Sequence, residues 1–295
     1  MAVQVLMSEA YCDENKKAGY EGCKPGDQLQ KVKSGSDDYV GEVRISKYRN
    51  FATIVLRYKE KERRHIHAEA SKFFSNSNLV GYSQPDRLSL NNEVVRVGLA
   101  NYRNIANKCN CDCSSLQALC ARIAGVSGFK NWATADMVAG FTKLYKYQRG
   151  EIAKKDVPSD FLALDQYFSV LMELKYTQNS DFLLEGDLLL KNGHIACNIT
   201  DGASSTKYST LEKQAGSDPS RKGTYVVNCP LNLRYGSSTD YEIIKVLKAG
   251  EKLKSSYGRY GANPKWLKVK EVSTGIIGYV NSDYITKLET TKKAK

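Results

Sequence analysis

The sequence predicts an α+β domain followed by a small all-β barrel. Three observations carry that reading. Residues 59–146 hold segments of helical period. From Leu183 the period shortens to that of paired strands. After Gly223 the strong apolar segments are short, β-like and bounded by turn residues. At 295 residues the chain has room for one catalytic-sized domain and a small module. We place the first domain at 1–215, a linker at 216–223, the barrel at 224–290 and a basic tail at 291–295.

Residues 9–28 are loop-like, rich in Gly, Asn, Asp and Lys, and 40–58 read equally as strand or helix. The charged, alanine-containing segment 59–76 predicts a helix, 80–87 a turn and 90–106 another helix. Segment 114–124 carries the clearest helical signal. Leu116, Leu119, Cys120 and Ile123 keep the spacing of one face, Asp112 and Ser114 suit its start, and Gly125 suits its stop. Two more helices are predicted at 132–146 and 159–174, the second capped by Ser159.

Segments 186–191 and 194–199 predict two strands joined by Asn192-Gly193, a strong hairpin turn. The polar stretch 203–218 begins as a candidate third strand and ends as linker. Short strands at 225–228, 231–234, 243–247, 252–254, 266–270 and 275–280 complete the barrel.

Net charge is +12 and uneven. Residues 222–295 hold 14 Lys+Arg against 6 Asp+Glu, and the first 221 residues hold 30 against 26. The barrel therefore carries most of the excess, which suits a polyanionic partner. Zinc-finger, helix-turn-helix and RNP-like aromatic patterns are absent, which argues against nucleic acid. No apolar run approaches the ~20 residues of a membrane-spanning helix, so no membrane insertion is expected. The start lacks the basic flank of a secretory signal, which predicts synthesis in a cytoplasm. Eight cysteines in a chain of this size do not suggest a disulfide scaffold, and alternating Cys109, Cys111 and Cys113 lack the usual zinc-ligand gap. Neither a metal nor an organic cofactor is expected.

Cys113 and His194 are the candidate catalytic pair. His65 and His67 sit in a charged run, which leaves His194 as the histidine in a strand-like setting. A cysteine at a helix start gains from the helix dipole and from a nearby imidazolium, both of which lower its pKa. The free N–H groups of that turn, at Ser114, are candidate oxyanion donors. A third polar residue normally orients the imidazole. Asn198 shares the strand face of His194, and Asp201, Ser209 and Glu212 are alternatives. Cys120 and Cys197 read as core thiols, and Cys111 is the fallback nucleophile.

With those residues in place, the chain resembles papain-like peptidoglycan hydrolases of the NlpC/CHAP cysteine-peptidase superfamily, and more narrowly phage and prophage endolysins of low-GC Gram-positive bacteria. The matching pieces are Gly26-Asp27-Gln28, Gly81-Tyr82-Ser83-Gln84, Cys111-Asp112-Cys113-Ser114-Ser115-Leu116, Gly186-Asp187-Leu188-Leu189 and Gly193-His194-Ile195-Ala196. The resemblance implies Cys113 as nucleophile and His194 as base, with Asp27, Gln28, Tyr82 and Asp112 near the substrate. It places the third residue on the strand after the histidine strand.

The last seventy or so residues resemble a bacterial SH3-type wall-binding domain. Leu231-Asn-Leu-Arg234, Tyr235-Gly236-Ser-Ser, Leu247-Lys-Ala-Gly250, Trp266-Leu-Lys-Val269 and Gly278-Tyr-Val-Asn-Ser-Asp-Tyr284 carry the likeness. Tyr235, Tyr241, Tyr257, Tyr260 and Tyr284 are candidates to line a wall-binding groove, while Trp266 reads as core.

The resemblance implies an endopeptidase acting on the peptidoglycan of a Gram-positive wall after release from the host cytoplasm. An N-acetylmuramoyl-L-alanine amidase with the same residues, and a non-catalytic wall-binding protein, are the competing functions.

Overall fold

An antiparallel six-stranded sheet organises the first part of the molecule. The computed structural model describes residues 4–11, 43–205, 216–234, 236–239, 241, 243–260 and 263–288. Two units form, Met1–Lys59 with Arg63–Glu212, and Lys213–Lys295 with Glu60–Glu62.

In the first unit the strands are β1 (Leu6–Ala10), β2 (Val43–Lys47), β3 (Ile54–Tyr58), β4 (Val80–Tyr82), β5 (Cys109–Cys111), β6 (Phe168–Leu171), β7 (Leu188–Lys191) and β8 (His194–Asn198). The helices are α1 (Lys61–Ser75), α2 (Ser89–Val97), α3 (Cys113–Ile123), α4 (Thr134–Gln148), α5 (Ser159–Leu162) and α6 (Leu174–Thr177). The sheet runs β2-β1-β8-β7-β3-β6, and β4 pairs with β5 in a separate parallel ribbon.

Both faces of the sheet are covered at its centre, which is why β7 and much of β3 and β8 read as apolar runs rather than alternating with polar residues. Ile54, Leu56, Leu188, Leu190, Ile195 and Cys197 share a core with Ala118, Ala121, Met137 and Phe141 of α3 and α4. The intervening Val55, Leu189 and Ala196 join Met7, Tyr176 and Leu183 in a second core. The outer side of α3 packs into a third core with Phe74, Tyr82, Leu90, Val94 and Tyr102. Consequently α3 is buried on all sides except at Arg122, as expected of a helix whose residues are mostly apolar or small. Each buried leucine contributes about 1.5–3 kcal/mol.

The structure departs from the sequence reading at several places. Segment 159–174 is not one helix. After the single turn of α5, Phe168 and Val170 point inward with period two and β6 pairs with β3. The helix predicted at 90–106 breaks at Gly98 (φ +87°) into α2 and a 3₁₀ turn at Leu99–Asn104. The turn predicted at 80–87 starts as strand β4, and 40–58 yields the two strands β2 and β3. Residues 203–205 form a turn rather than a third strand. The edge of β8 that such a strand would have filled pairs with β1.

From Gly216 onward the second unit is all β among its described residues apart from 3₁₀ turns. Its strands are β9 (Gly216–Ser217), β10 (Gly223–Val227), β11 (Leu231–Arg234), β12 (Ile243–Leu247), β13 (Lys252–Ser255), β14 (Arg259–Tyr260), β15 (Trp266–Glu271), β16 (Ile277–Asn281) and β17 (Ile285–Lys287). They run β12-β11-β16-β15-β13-β10-β17, with β14 pairing with β15 and β9. Tyr225, Val227, Leu233, Leu247, Leu253, Leu267, Val269 and Val280 fill its core. Among the described residues, no helix is long and apolar enough to cross a membrane.

Candidate functional site

Cys113 is the first residue of α3, and the start of that helix is tightly fixed. Asp112 caps it: its Oδ1 accepts from the Ser115 N–H at 2.7 Å, and the Ser115 hydroxyl accepts from the Asp112 N–H at 2.9 Å. This reciprocal cap satisfies one of the first-turn donors and sets the direction in which the Cys113 side chain leaves. Arg87 braces the turn. Its guanidinium donates to Ser114 Oγ at 2.7 Å and lies 3.1 Å from Asp112 Oδ2.

The thiol points at β8. The backbone N–H groups of Ile195 and Ser114 lie where they favour the thiolate of Cys113. Cys113 is 8% exposed. Burial pushes its thiol up to about 12, and the Asp112 carboxylate adds to the rise. The two N–H groups and Arg87 oppose it without winning. The expectation of a lowered pKa at the helix start is thus reversed, because desolvation and the capping carboxylate outweigh the nearby N–H groups and Arg87.

His194 opens β8 directly after Gly193, whose φ of +88° suits the Asn192-Gly193 turn. The Gly193 N–H donates to Thr134 Oγ1 at 2.8 Å, which ties the hairpin to the start of α4. The imidazole is buried, with Tyr11 edge-on at 5.3 Å and Phe51 tilted at 5.1 Å between ring centres. Its Nε2 lies 3.0 Å from Oε2 of Glu9 on β1.

Glu9 is fully buried and held by four groups. Arg44 Nε and Ser46 Oγ donate to Oε1 at 3.0 and 2.8 Å, and Arg49 donates to Oε2 at 2.6 Å beside His194. Burial favours the neutral acid, but His194 and Arg49 overcome it and hold the carboxyl well below the usual carboxylate range. An ionised carboxylate only accepts hydrogen bonds, so Nε2 must carry the proton. Nδ1 is then the basic nitrogen, and it has no hydrogen-bond partner among the described residues.

Asn198, expected as the orienting residue, does not reach His194. Four residues along a strand is about 13 Å. The Asn198 amide instead donates to the carbonyls of Leu184 and Thr200. Asp201 accepts from the Glu185 N–H. Ser209 and Glu212 lie outside the described residues, as do Asp27, Gln28 and Tyr235. Tyr82 is core, 3% exposed, rather than a lining residue, and Asp112 acts as the helix cap.

In the second unit Tyr257 and Tyr284 are exposed and Tyr260 is partly so, whereas Tyr241 is buried against Gly236 and cannot line a groove. Trp266 is buried as expected. Cys111, Cys120 and Cys197 are buried, and burial raises each thiol. Among the described residues no cluster of His, Cys, Asp or Glu could hold a metal.

Glu9 escaped the sequence reading. Its signal was an acid inside the apolar run Val5-Leu-Met-Ser-Glu-Ala10, where a buried carboxylate demands cationic partners.

A mixed helix-and-sheet domain with a histidine–carboxylate pair, joined in sequence to a basic all-β module, is the class of protein these features define. Residues 7–205 match the endolysin-like domain, and residues 230–286 match the bacterial SH3 domain. The first match spans well over half of the chain, which belongs to the endolysin-like domain family. Together the two domains support a peptidoglycan hydrolase whose SH3 domain is suited to binding the cell wall. No curated protein and no solved structure matches the chain.

Proposed function

We propose that this peptidoglycan hydrolase is a papain-like cysteine enzyme of NlpC/CHAP type in which Cys113 is the nucleophile, His194 the base and Glu9 the residue that orients the base. The observation that carries the proposal is the Glu9–His194 contact on β8, the strand against which Cys113 and its helix α3 pack. Nδ1 of His194 takes the thiol proton as sulfur attacks the amide carbonyl carbon. The oxyanion that forms is met by the N–H of Cys113 at the helix start. His194 then returns the proton to the amine nitrogen as the C–N bond breaks. Water attacks the thioester, passing its proton to His194, and the C–S bond breaks to free the acid as His194 returns that proton to sulfur. Because the resting thiol is neutral, proton transfer accompanies attack rather than preceding it.

The favoured bond lies within the stem peptide, making the enzyme an endopeptidase. The same chemistry at the muramic acid–L-alanine bond would make it an amidase. The site of action is the wall of a Gram-positive cell, reached after release from the host cytoplasm. Turbidity loss of purified walls tests the mechanism, with parent and Cys113→Ala compared side by side. Clearing by the parent alone, with wall binding retained by the variant, supports a thiol enzyme. New peptide N-termini or freed lactyl groups then name the bond. Equal clearing by both proteins removes Cys113 from the mechanism. Binding without clearing by either favours a non-catalytic wall-binding protein.

A further inference from the structure

The second unit holds a pocket of about 250 Å³ whose rim is cationic without compensation. Lys254, Arg259, Lys268 and Lys270 line it with Ser255, Tyr257, Val269 and Ile277. No carboxylate lines it, and none of the four cations forms an ion pair among the described residues, although Lys245 nearby is paired with Glu271. Lys254 and Lys270 are direct cross-strand partners of β13 and β15, an arrangement that costs stability unless an anion lies between them. Lys268 lies two residues from Lys270 and so projects to the same side of β15.

A second observation is independent of charge. Ser255 lines the pocket, is 1% exposed, and its hydroxyl has no hydrogen-bond partner among the described residues. A buried hydroxyl left unsatisfied costs about 1–3 kcal/mol. A bound acceptor oxygen would recover that cost. Tyr257, 67% exposed, and Ile277, 55% exposed, supply apolar surface beside the cations.

We propose that this pocket binds phosphate groups of a phosphodiester-linked anionic polymer of the cell wall, an inference that rests on the wall-binding reading of the SH3 domain. One carboxylate would neutralise one of the four charges. A chain of phosphates supplies repeated charge and several acceptor oxygens. Lysine rows on adjacent strands, about 4.8 Å apart, present donors at a spacing such a chain can follow. Arg259 adds a planar fork suited to phosphate, and the Ser255 hydroxyl donates from the pocket wall.

The test is sedimentation binding of the full chain to two preparations of Gram-positive walls, one with its phosphodiester polymers intact and one stripped of them with hydrofluoric acid. Parent protein and the double variant Lys254→Gln/Lys270→Gln are compared; both positions are exposed, so the fold is kept. The expected result is a roughly tenfold or greater loss of affinity on stripping, a similar loss in the variant on intact walls, and a shallower salt dependence for the variant. The variant should lose little more on stripped walls. Equal binding of the parent to both walls would overturn the proposal while leaving wall binding in place. So would a stripping effect that the variant shares in full. Failure of the parent to bind either wall would overturn the wall-binding reading and the proposal with it. Ser255→Ala should weaken binding on intact walls alone.

Discussion

Glu9 accepts a hydrogen bond from Nε2 of His194 at 3.0 Å although 185 residues separate the two in sequence. The pairing sets the tautomer of the imidazole. It also joins Arg44, Ser46 and Arg49 into one network, so charge and the orientation of the imidazole are settled by the same carboxylate.

Replacing Glu9 with Gln should reduce the clearing rate roughly 10²–10⁴-fold with wall binding intact. An amide nitrogen donating to Nε2 favours the proton on Nδ1, where it blocks the base. Nitrogen NMR of His194 would read the change of tautomer directly. Clearing at the parental rate would remove Glu9 from the mechanism. The substitution also acts on stability. Glu9 ionises more readily in the fold than at its ordinary value of 4.5, so its contribution is full above that value and drains away as pH falls through and below it. The Gln variant should show a flatter acid limb in urea unfolding.

Iodoacetamide labelling of Cys113, followed by peptide mapping, should be slow at pH 7. With the thiol pushed up to about 12, the rate should rise about tenfold per pH unit between 7 and 10. A rate already high and flat from pH 5 to 8 would mean a preformed thiolate, and the concerted proton transfer proposed above would be wrong.

His67 offers a stability prediction of its own. It is fully buried, with Nδ1 2.7 Å from the Tyr58 hydroxyl and Nε2 2.8 Å from Gln117 Oε1. Burial outweighs the Gln117 bond and lowers its pKa from 6.5 to about 4. The unfolded chain therefore binds the extra proton first. Stability from this residue is whole above pH 6.5 and is lost as pH falls toward 4, by about 3 kcal/mol. Urea midpoints of His67→Gln should change less across that window than those of the parent, even if the variant is weaker at pH 7. Parallel curves would sink the assignment.

Gly186 and Gly193 share a positive φ, +84° and +88°, yet differ in surroundings. A Cβ at Gly186 would lie 2.2 Å from the Arg64 carbonyl oxygen, whereas one at Gly193 meets nothing within 4 Å. Alanine at Gly193 should cost about 1–2 kcal/mol from backbone strain alone. Alanine at Gly186 should cost a further 1–3 kcal/mol or so from overpacking. Equal losses in denaturant unfolding would contradict this contrast.

Local chemistry made part of this architecture legible. The start of α3 is written in Asp112, although its capping partner is Ser115 rather than the expected Ser114, the β7–β8 turn in Asn192-Gly193, and the strands of the SH3 domain in short apolar runs between turn residues. What depended on distant partners was less visible. Phe168–Leu171 reads as the end of a helix until the edge of β3 claims it. His67 looks solvated in its charged run, yet the spacing of His67, Ser71 and Phe74 marks a buried face of α1. Glu9 becomes intelligible only with Arg44, Arg49 and His194 around it, and no local pattern announces strands that pair across most of a domain.

Because β1 lies beside β8, the order of synthesis matters. On the ribosome Glu9 emerges 185 residues before His194 and must wait for nearly the whole domain before its histidine arrives. Until β8 has left the exit tunnel, the growing polypeptide holds the Glu9 carboxylate without its imidazole partner. The buried network around Glu9 is therefore among the last parts of this domain to be completed.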